Sequence, residues 1–239
     1  MSFLFSRRWI LFAIAVVLLA VLTFRLGEWQ FHRLEDREQR NEMTERNLAA
    51  DPVPVEEVLT PRRAVSTEHE WKPVTASGTY VEDRSVVIRY QTRDGQSGVD
   101  MVTPLLTDSG NALLVDRGWF RTGNVGTTRP DLPPAPAGDV TIVGWVRADA
   151  TGDSATVEDQ SARAVSSAEI APTLPFEVYG GFVDLERETP APPEPLQKTE
   201  LPDLGEGPHF FYGLQWWFFA VLALFGFGYL AWDERRKAR

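Results

Sequence analysis

Residues 9–24 and 210–232 are strongly apolar and uncharged, while the chain between them is polar and acidic. The second run has 23 residues, and at about 1.5 Å of rise per residue a helix of that length crosses the roughly 30 Å hydrocarbon layer of a bilayer. The first run is followed by Arg25, whose aliphatic stem can lie in lipid while its guanidinium reaches the surface. The sequence therefore predicts a membrane hairpin with spans at 9–29 and 209–232 and a polar domain between them.

Charge near the spans sets their direction, because Lys and Arg flanking a span are retained in the cytoplasm. Arg7 and Arg8 lie in the first flank, 1–8, and Arg235, Arg236, Lys237 and Arg239 in the last, 233–239. Both termini are expected in the cytoplasm. Residues 31–208 hold 17 Lys and Arg against 31 Asp and Glu, as suits an exported segment. Thr23, Phe24, Arg25 and Leu26 offer no small-residue cleavage site, so the first span reads as retained rather than as a signal peptide. No Arg/Ser-rich presequence points to an organelle, and a multi-pass protein of the bacterial plasma membrane is expected.

Cysteine is absent, which removes disulfides, thiol nucleophiles and thiolate metal sites from consideration. The acidic middle also argues against nucleic acid as a partner, since phosphate binding needs clustered Lys and Arg. The lipid bilayer is the partner that composition implies.

Residues 30–70 read as a helix leaving the first span and then a linker, interrupted by Pro52, Pro54 and Pro61. Short runs rich in Val, Thr and aromatics follow at 71–80, 85–90, 98–106, 112–120, 139–147 and 182–188, and these are predicted strands. Asp94-Gly95 and Ser109-Gly110-Asn111 tolerate positive φ and predict hairpins. A proline-rich connection runs from Pro130 to Pro136. Ser166 with Glu169 forms a capping-box pattern for a short helix stopped by Pro172. Residues 190–208 are expected to be an extended proline-rich tether without helix or sheet. The predicted fold is thus two transmembrane helices flanking an extracytoplasmic, mainly antiparallel β domain at 71–189, a small sheet or barrel with one short helix.

Chemistry concentrates at the outer ends of the spans. Helical spacing puts His209, Tyr212, Gly213, Trp216 and Ala220 on one face of the second span. An imidazole at a membrane mouth is a good iron or copper ligand, or a plain interfacial residue at a helix start. His32, His69 and His209 show no zinc or copper spacing. At the exit of the first span stand Gly27, Trp29, Gln30 and Arg33. Trp29 and Trp216 suit an interfacial belt whatever else they do, and Arg25 suits a pair with Glu28. With Gly27 and Gly213 permitting close approach, the two helix ends can form the rim of a groove. Arg117-Gly118-Trp119 reads as core architecture. The nucleophile-elbow, dinucleotide and phosphate-loop patterns do not occur, and nothing points to an enzyme.

Five segments together carry a resemblance: Leu26-Gly27-Glu28-Trp29-Gln30 with Arg33; Trp71-Lys72-Pro73-Val74 followed by Gly78-Thr79-Tyr80; Val102-Thr103-Pro104-Leu105; Leu114-Val115-Asp116-Arg117-Gly118-Trp119; and Pro208-His209-Phe210-Phe211-Tyr212-Gly213-Leu214-Gln215-Trp216-Trp217. In this order the chain resembles the surfeit locus protein 1 family of cytochrome c oxidase assembly factors along nearly its whole length. The resemblance implies a non-enzymatic role in delivering heme a to the oxidase catalytic subunit, with heme a synthase as a further partner. It carries His209 over as the heme and metal contact, with Tyr212, Gln215, Trp216, Trp29, Gln30 and Arg33 around it, and gives Tyr80 and Gly118 a role in folding. The chain departs from the family pattern at Gly213, where alanine is usual, and in an acidic insertion around 149–160. The alternative is an adaptor that stabilises oxidase subunits by protein contacts and never touches heme.

Overall fold

The computed structural model describes residues 2–123 and 133–237. Helix α1 spans Arg7–Leu48, far past the apolar run, because nothing in 25–48 breaks a helix before the Pro52 region. The last helix, His209–Lys237, follows a left-handed turn at Gly207 (φ 69°), and its first turn closes with Tyr212 N–H donating to the Pro208 carbonyl. Both helices are long and apolar enough to cross a membrane. Two units are distinguished: 1–42 with 203–239, and 43–202.

The second unit is built on eight strands: β1 Val53–Pro54, β2 Pro73–Tyr80, β3 Val86–Arg93, β4 Gln96–Thr107, β5 Ala112–Arg121, β6 Asp139–Arg147, β7 Ser161–Ala162 and β8 Phe182–Thr189. All six predicted strands are present, and the Asp94-Gly95 and Ser109-Gly110-Asn111 turns join β3 to β4 and β4 to β5 as expected. The sheet order β1-β2-β6-β8-β5-β4-β3-β7 has one additional pairing, β2 with β4, which closes β2, β6, β8, β5 and β4 into a barrel. Closure is possible because β4 is long enough to serve two neighbours on one edge. Its first half pairs with β3 and its end, Leu105–Thr107, with β2 at Gly78–Tyr80. Gly78 is the closing residue: a Cβ there would lie 2.1 Å from the Leu106 carbonyl oxygen.

The barrel interior is lined by Val74, Ala76, Tyr80, Leu105, Leu113, Val115, Val140, Ile142, Val183 and Leu185. A second cluster, with Val86, Ile88, Val102, Leu114, Ile170 and Phe182, lies on the other side of β4 and β5. Leu113 and Val115 thus face one core while Ala112 and Leu114 face another, which explains an unbroken apolar run in a largely antiparallel sheet. The short helix, α2 Ser167–Ile170, forms where predicted, but its start is held differently. The Ser166 side chain makes no cap; Asp149 accepts from the Ser167 amide (2.7 Å) and hydroxyl (2.5 Å). The acidic 149–160 stretch therefore supplies the cap that a local four-residue pattern appeared to supply. The final helix, His209–Lys237, is α3.

Two expectations need correction. The tether is not free of sheet: Gln197 makes an isolated bridge with Trp119, the Trp119 amide donating to Gln197 O (2.7 Å) and the reverse bond closing at 3.0 Å. The two-residue strands β1 and β7 were invisible because no period can be read from two residues. Of the 130–136 connection, residues 130–132 lie outside the described residues, and 133–138 is irregular as expected.

Arg117 and Trp119 are core residues, 1% and 7% exposed. Arg117 donates from Nη2 to Pro134 O (3.1 Å), and its guanidinium lies 5.4 Å from the Tyr80 ring centroid. Burial, followed by the Glu188 carboxylate, pushes the Tyr80 hydroxyl upward. Another buried set joins Asp100, Asp116 and Asp184 with Arg93 and Arg147. Asp100 pairs with Arg93 at 3.0 Å and Asp184 with Arg147 at 2.6 Å, while Asp116 accepts from Gly118 N–H. Burial is the first cause that raises all three carboxyls, Asp100 to about 6, and their mutual repulsion adds to it for Asp100 and Asp116. The native state therefore holds protons that the unfolded chain releases above the ordinary value near 3.8. This contribution to stability is fully present below that value and is lost as pH rises through about 6. The urea midpoint is expected to rise between pH 7 and pH 5, by roughly 1–3 kcal/mol of unfolding free energy. A midpoint that fell over that interval would contradict the burial argument.

Candidate functional site

The first unit brings α1 and α3 together through glycines. The buried positions of α3 are Gly213 and Ala220, and those of α1 are Val16, Thr23 and Gln30's neighbour one turn earlier, Gly27. A Cβ on Gly27 would lie 2.3 Å from Trp217 Cδ1, and one on Gly213 would lie 2.8 Å from the Phe31 ring. Each glycine thus receives an aromatic ring from the opposite helix. The Phe31 and Trp217 centroids are 4.7 Å apart, and Phe24 stacks on Trp217 at 5.8 Å.

These rings change the expected groove. The gap that Gly27 and Gly213 open is filled by the chain's own Trp217 and Phe31 rather than left for a ligand. Trp217, which spacing alone did not single out, is the tryptophan that packs against Gly27, while Trp216 is half-buried and meets Phe219 edge-on at 5.8 Å. The signal that could have found Trp217 is size complementarity, a large ring on one helix opposite a glycine on the other.

Just outside the filled seam, His209 Nδ1 lies 2.9 Å from Gln30 Oε1. With Gln30 presenting its carbonyl oxygen, Nδ1 carries the proton and donates, which leaves Nε2 with an available lone pair. Nε2 makes no hydrogen bond among the described residues. A ring fixed in this way through one nitrogen is the usual arrangement of a histidine that ligates through the other.

The remaining site residues lie around this pair to different degrees. Trp29 is 50% exposed and Arg33 sits over its ring at 5.6 Å, one turn along α1. Arg33 makes no ion pair among the described residues, whereas Arg25 is taken by Glu28 at 3.0 Å, as the sequence suggested. Tyr212 is 48% exposed and Gln215 is exposed as well, so Tyr212 does not share the burial of Gly213 and Ala220, the residues that helical spacing places on a face with it. The structure therefore brings His209 to Gln30 and Arg33 to Trp29, and leaves Tyr212 and Gln215 on an outward face. Among the described residues no three His, Asp or Glu side chains form a metal cage, so the chemistry available is one imidazole, one unpaired guanidinium and apolar rings.

The SURF1 family model matches residues 17–221, which include both sides of the His209–Gln30 contact. A SURF1-like protein of Mycobacterium bovis is 29% identical over 245 residues, covering 100% of this chain and 89% of its own length. The cytochrome oxidase assembly protein SHY1 of Saccharomyces cerevisiae is 27% identical over 101 residues, 42% of this chain and 25% of its own. Surfeit locus protein 1 of Xenopus tropicalis is 28% identical over 153 residues, 57% of this chain and 48% of its own. With its family model covering most of its length, the chain belongs to the SURF1 family.

Proposed function

We propose that this protein is a non-enzymatic assembly factor for heme-copper cytochrome c oxidase, held in the bacterial plasma membrane by α1 and α3 with its β domain outside the cytoplasm, and that it presents heme a to the oxidase catalytic subunit. Family membership and the oxidase-assembly name of the yeast relative support the oxidase connection. The flanking charges support the orientation, since Arg7 and Arg8 begin one span and Arg235, Arg236 and Lys237 end the other. The observation that carries the heme reading is the His209–Gln30 contact, which in the Nδ1–H tautomer would leave Nε2 free to hold an iron.

Heme a would supply an iron that accepts one imidazole and a largely apolar ring with two propionates. His209 Nε2 would hold the iron, Gln30 would hold the imidazole, and Arg33 would meet a propionate. Exposed Trp29 and Phe211 offer apolar surface for the ring. A single ligand on an open surface gives modest affinity, which suits a carrier that must release its load to a synthase-fed oxidase subunit. The test is the absorption spectrum of the detergent-solubilised protein loaded with heme a. His209→Ala is expected to lose the imidazole-dependent signature and to weaken binding at least 10-fold, about 1.4 kcal/mol or more. Gln30→Leu should shift the same signature less. Unchanged binding and ligation in His209→Ala would leave the adaptor role, in which the helices pack on oxidase subunits and no heme is held.

A further inference from the structure

The stretch just before α3 is gripped by α1 through polar side chains. Arg37 Nε donates to Gly205 O at 2.5 Å, and Asn41 Nδ2 donates to Leu204 O at 2.8 Å and to Gly205 O at 3.4 Å. The turn is braced from within, because Gly205 N–H donates to Asp203 Oδ1 at 2.9 Å. Arg37 also faces Asp203 at 3.7 Å, but with the Asp203 side chain 87% exposed that pair contributes little. Gly207 follows in a left-handed conformation, and a Cβ on it would sit 3.5 Å from Arg37 Nη1 and 3.6 Å from His209 Cδ2. Arginine, glycine and histidine are thus consecutive neighbours.

The grip continues the helix seam. Thr23, Gly27, Gln30, Leu34, Arg37 and Asn41 are spaced four, three, four, three and four residues apart, the period of a two-helix contact, and each is buried or half-buried while the intervening surface is mostly exposed. Past the last packed rings the seam has no apolar partner to pack, so polar side chains reach backbone carbonyls instead. In lipid, apolar helix faces have little preference for one another over acyl chains. A slide of α3 by one turn, about 5.4 Å, carries His209 out of reach of Gln30. The Trp217–Gly27 and Phe31–Gly213 insets oppose it inside the seam, and the carbonyls held at Leu204 and Gly205 add a second hold at its outer end, next to His209.

We propose that Arg37 and Asn41 are positioning residues that set the axial register of α3 and thereby hold the His209 imidazole on Gln30. The chemical purpose rests on the heme reading above, whereas the register control does not. The chain has no cysteine, so Gln30→Cys with His209→Cys allows cross-linking by a short thiol-reactive reagent to report their approach in the full chain without heme. In an Arg37→Gln, Asn41→Ala background the cross-linking rate is expected to fall about 5–10-fold, as the loss of one or two hydrogen bonds predicts. Asn41→Asp, which replaces the donor with an acceptor and sets a negative charge against the two carbonyls, should also slow it, and Arg37→Lys should restore most of the rate. In the chain that retains Gln30 and His209, the same background should weaken the imidazole signature of bound heme a. A slower cross-link with an unchanged heme signature upholds the register control and removes His209 as ligand. An unchanged cross-linking rate overturns the proposal.

Discussion

Gly118→Ala is expected to destabilise the β domain by about 3 kcal/mol or more, enough to lower its denaturant midpoint sharply. Two penalties add at that position. The backbone stands at φ 127°, which an L side chain rarely adopts, and a Cβ would lie 2.5 Å from the Gln197 carbonyl oxygen. The obstacle is main chain, so it cannot rotate aside; either β5 distorts or the Trp119–Gln197 bridge parts. Gly110→Ala provides the contrast: φ is also positive, 84°, but nothing lies within 4 Å, and the cost should be near 1 kcal/mol. Equal midpoints for the two variants would mean that the tether does not bear on Gly118. Hydrogen exchange at the Trp119 and Gln197 amides should accelerate in Gly118→Ala beyond the change in global stability, since those two amides make the bridge.

Arg147→Met should cost about 3–5 kcal/mol at pH 8, because it leaves a buried carboxylate without its counter-charge. Asp184 is 2% exposed and Arg147 Nη1 lies 2.6 Å from its Oδ2. The same guanidinium covers the Trp71 ring at 4.0 Å and reaches Glu70 at 3.4 Å, so packing is lost as well as charge. Arg147 is the larger of two guanidinium influences, with Arg93, that lower the Asp184 pKa against its burial, and without it the carboxyl protonates more readily. The loss should therefore shrink as pH falls from 8 to 5, measured as the difference in urea midpoint from the parent chain. Arg147→Met with Asp184→Asn should recover part of the stability at pH 8, while a pH-independent loss would assign the effect to packing on Trp71 alone.

The elements most legible in the sequence were those with a local cause. Alternating Val, Thr and aromatic residues placed the six longer strands, and Asp94-Gly95 marked its hairpin through the positive φ that both residues adopt. Barrel closure had no such signature. It depends on Gly78 meeting Leu106 across the sheet, and a glycine in a strand reads equally well as a bulge or a weak spot. The Ser166 pattern misled because the helix start is held instead by a distant Asp149 at the Ser167 amide and hydroxyl, and sequence spacing contains no information on partners far away. In the site, His209 and Gln30 were both candidates from the ends of the two spans, but their bond joins residues 179 apart and only the pairing of the helices shows it. Arg37 and Asn41 escaped notice because a seam was sought in apolar residues, and here it continues in polar ones.

Trp217 and Phe31 close the space between the helices from within, and this has a bearing on unloading. If the proposed cofactor is carried there, the residues that would hold it lie on the outside of a sealed helix pair, so neither loading nor release would require α1 and α3 to part.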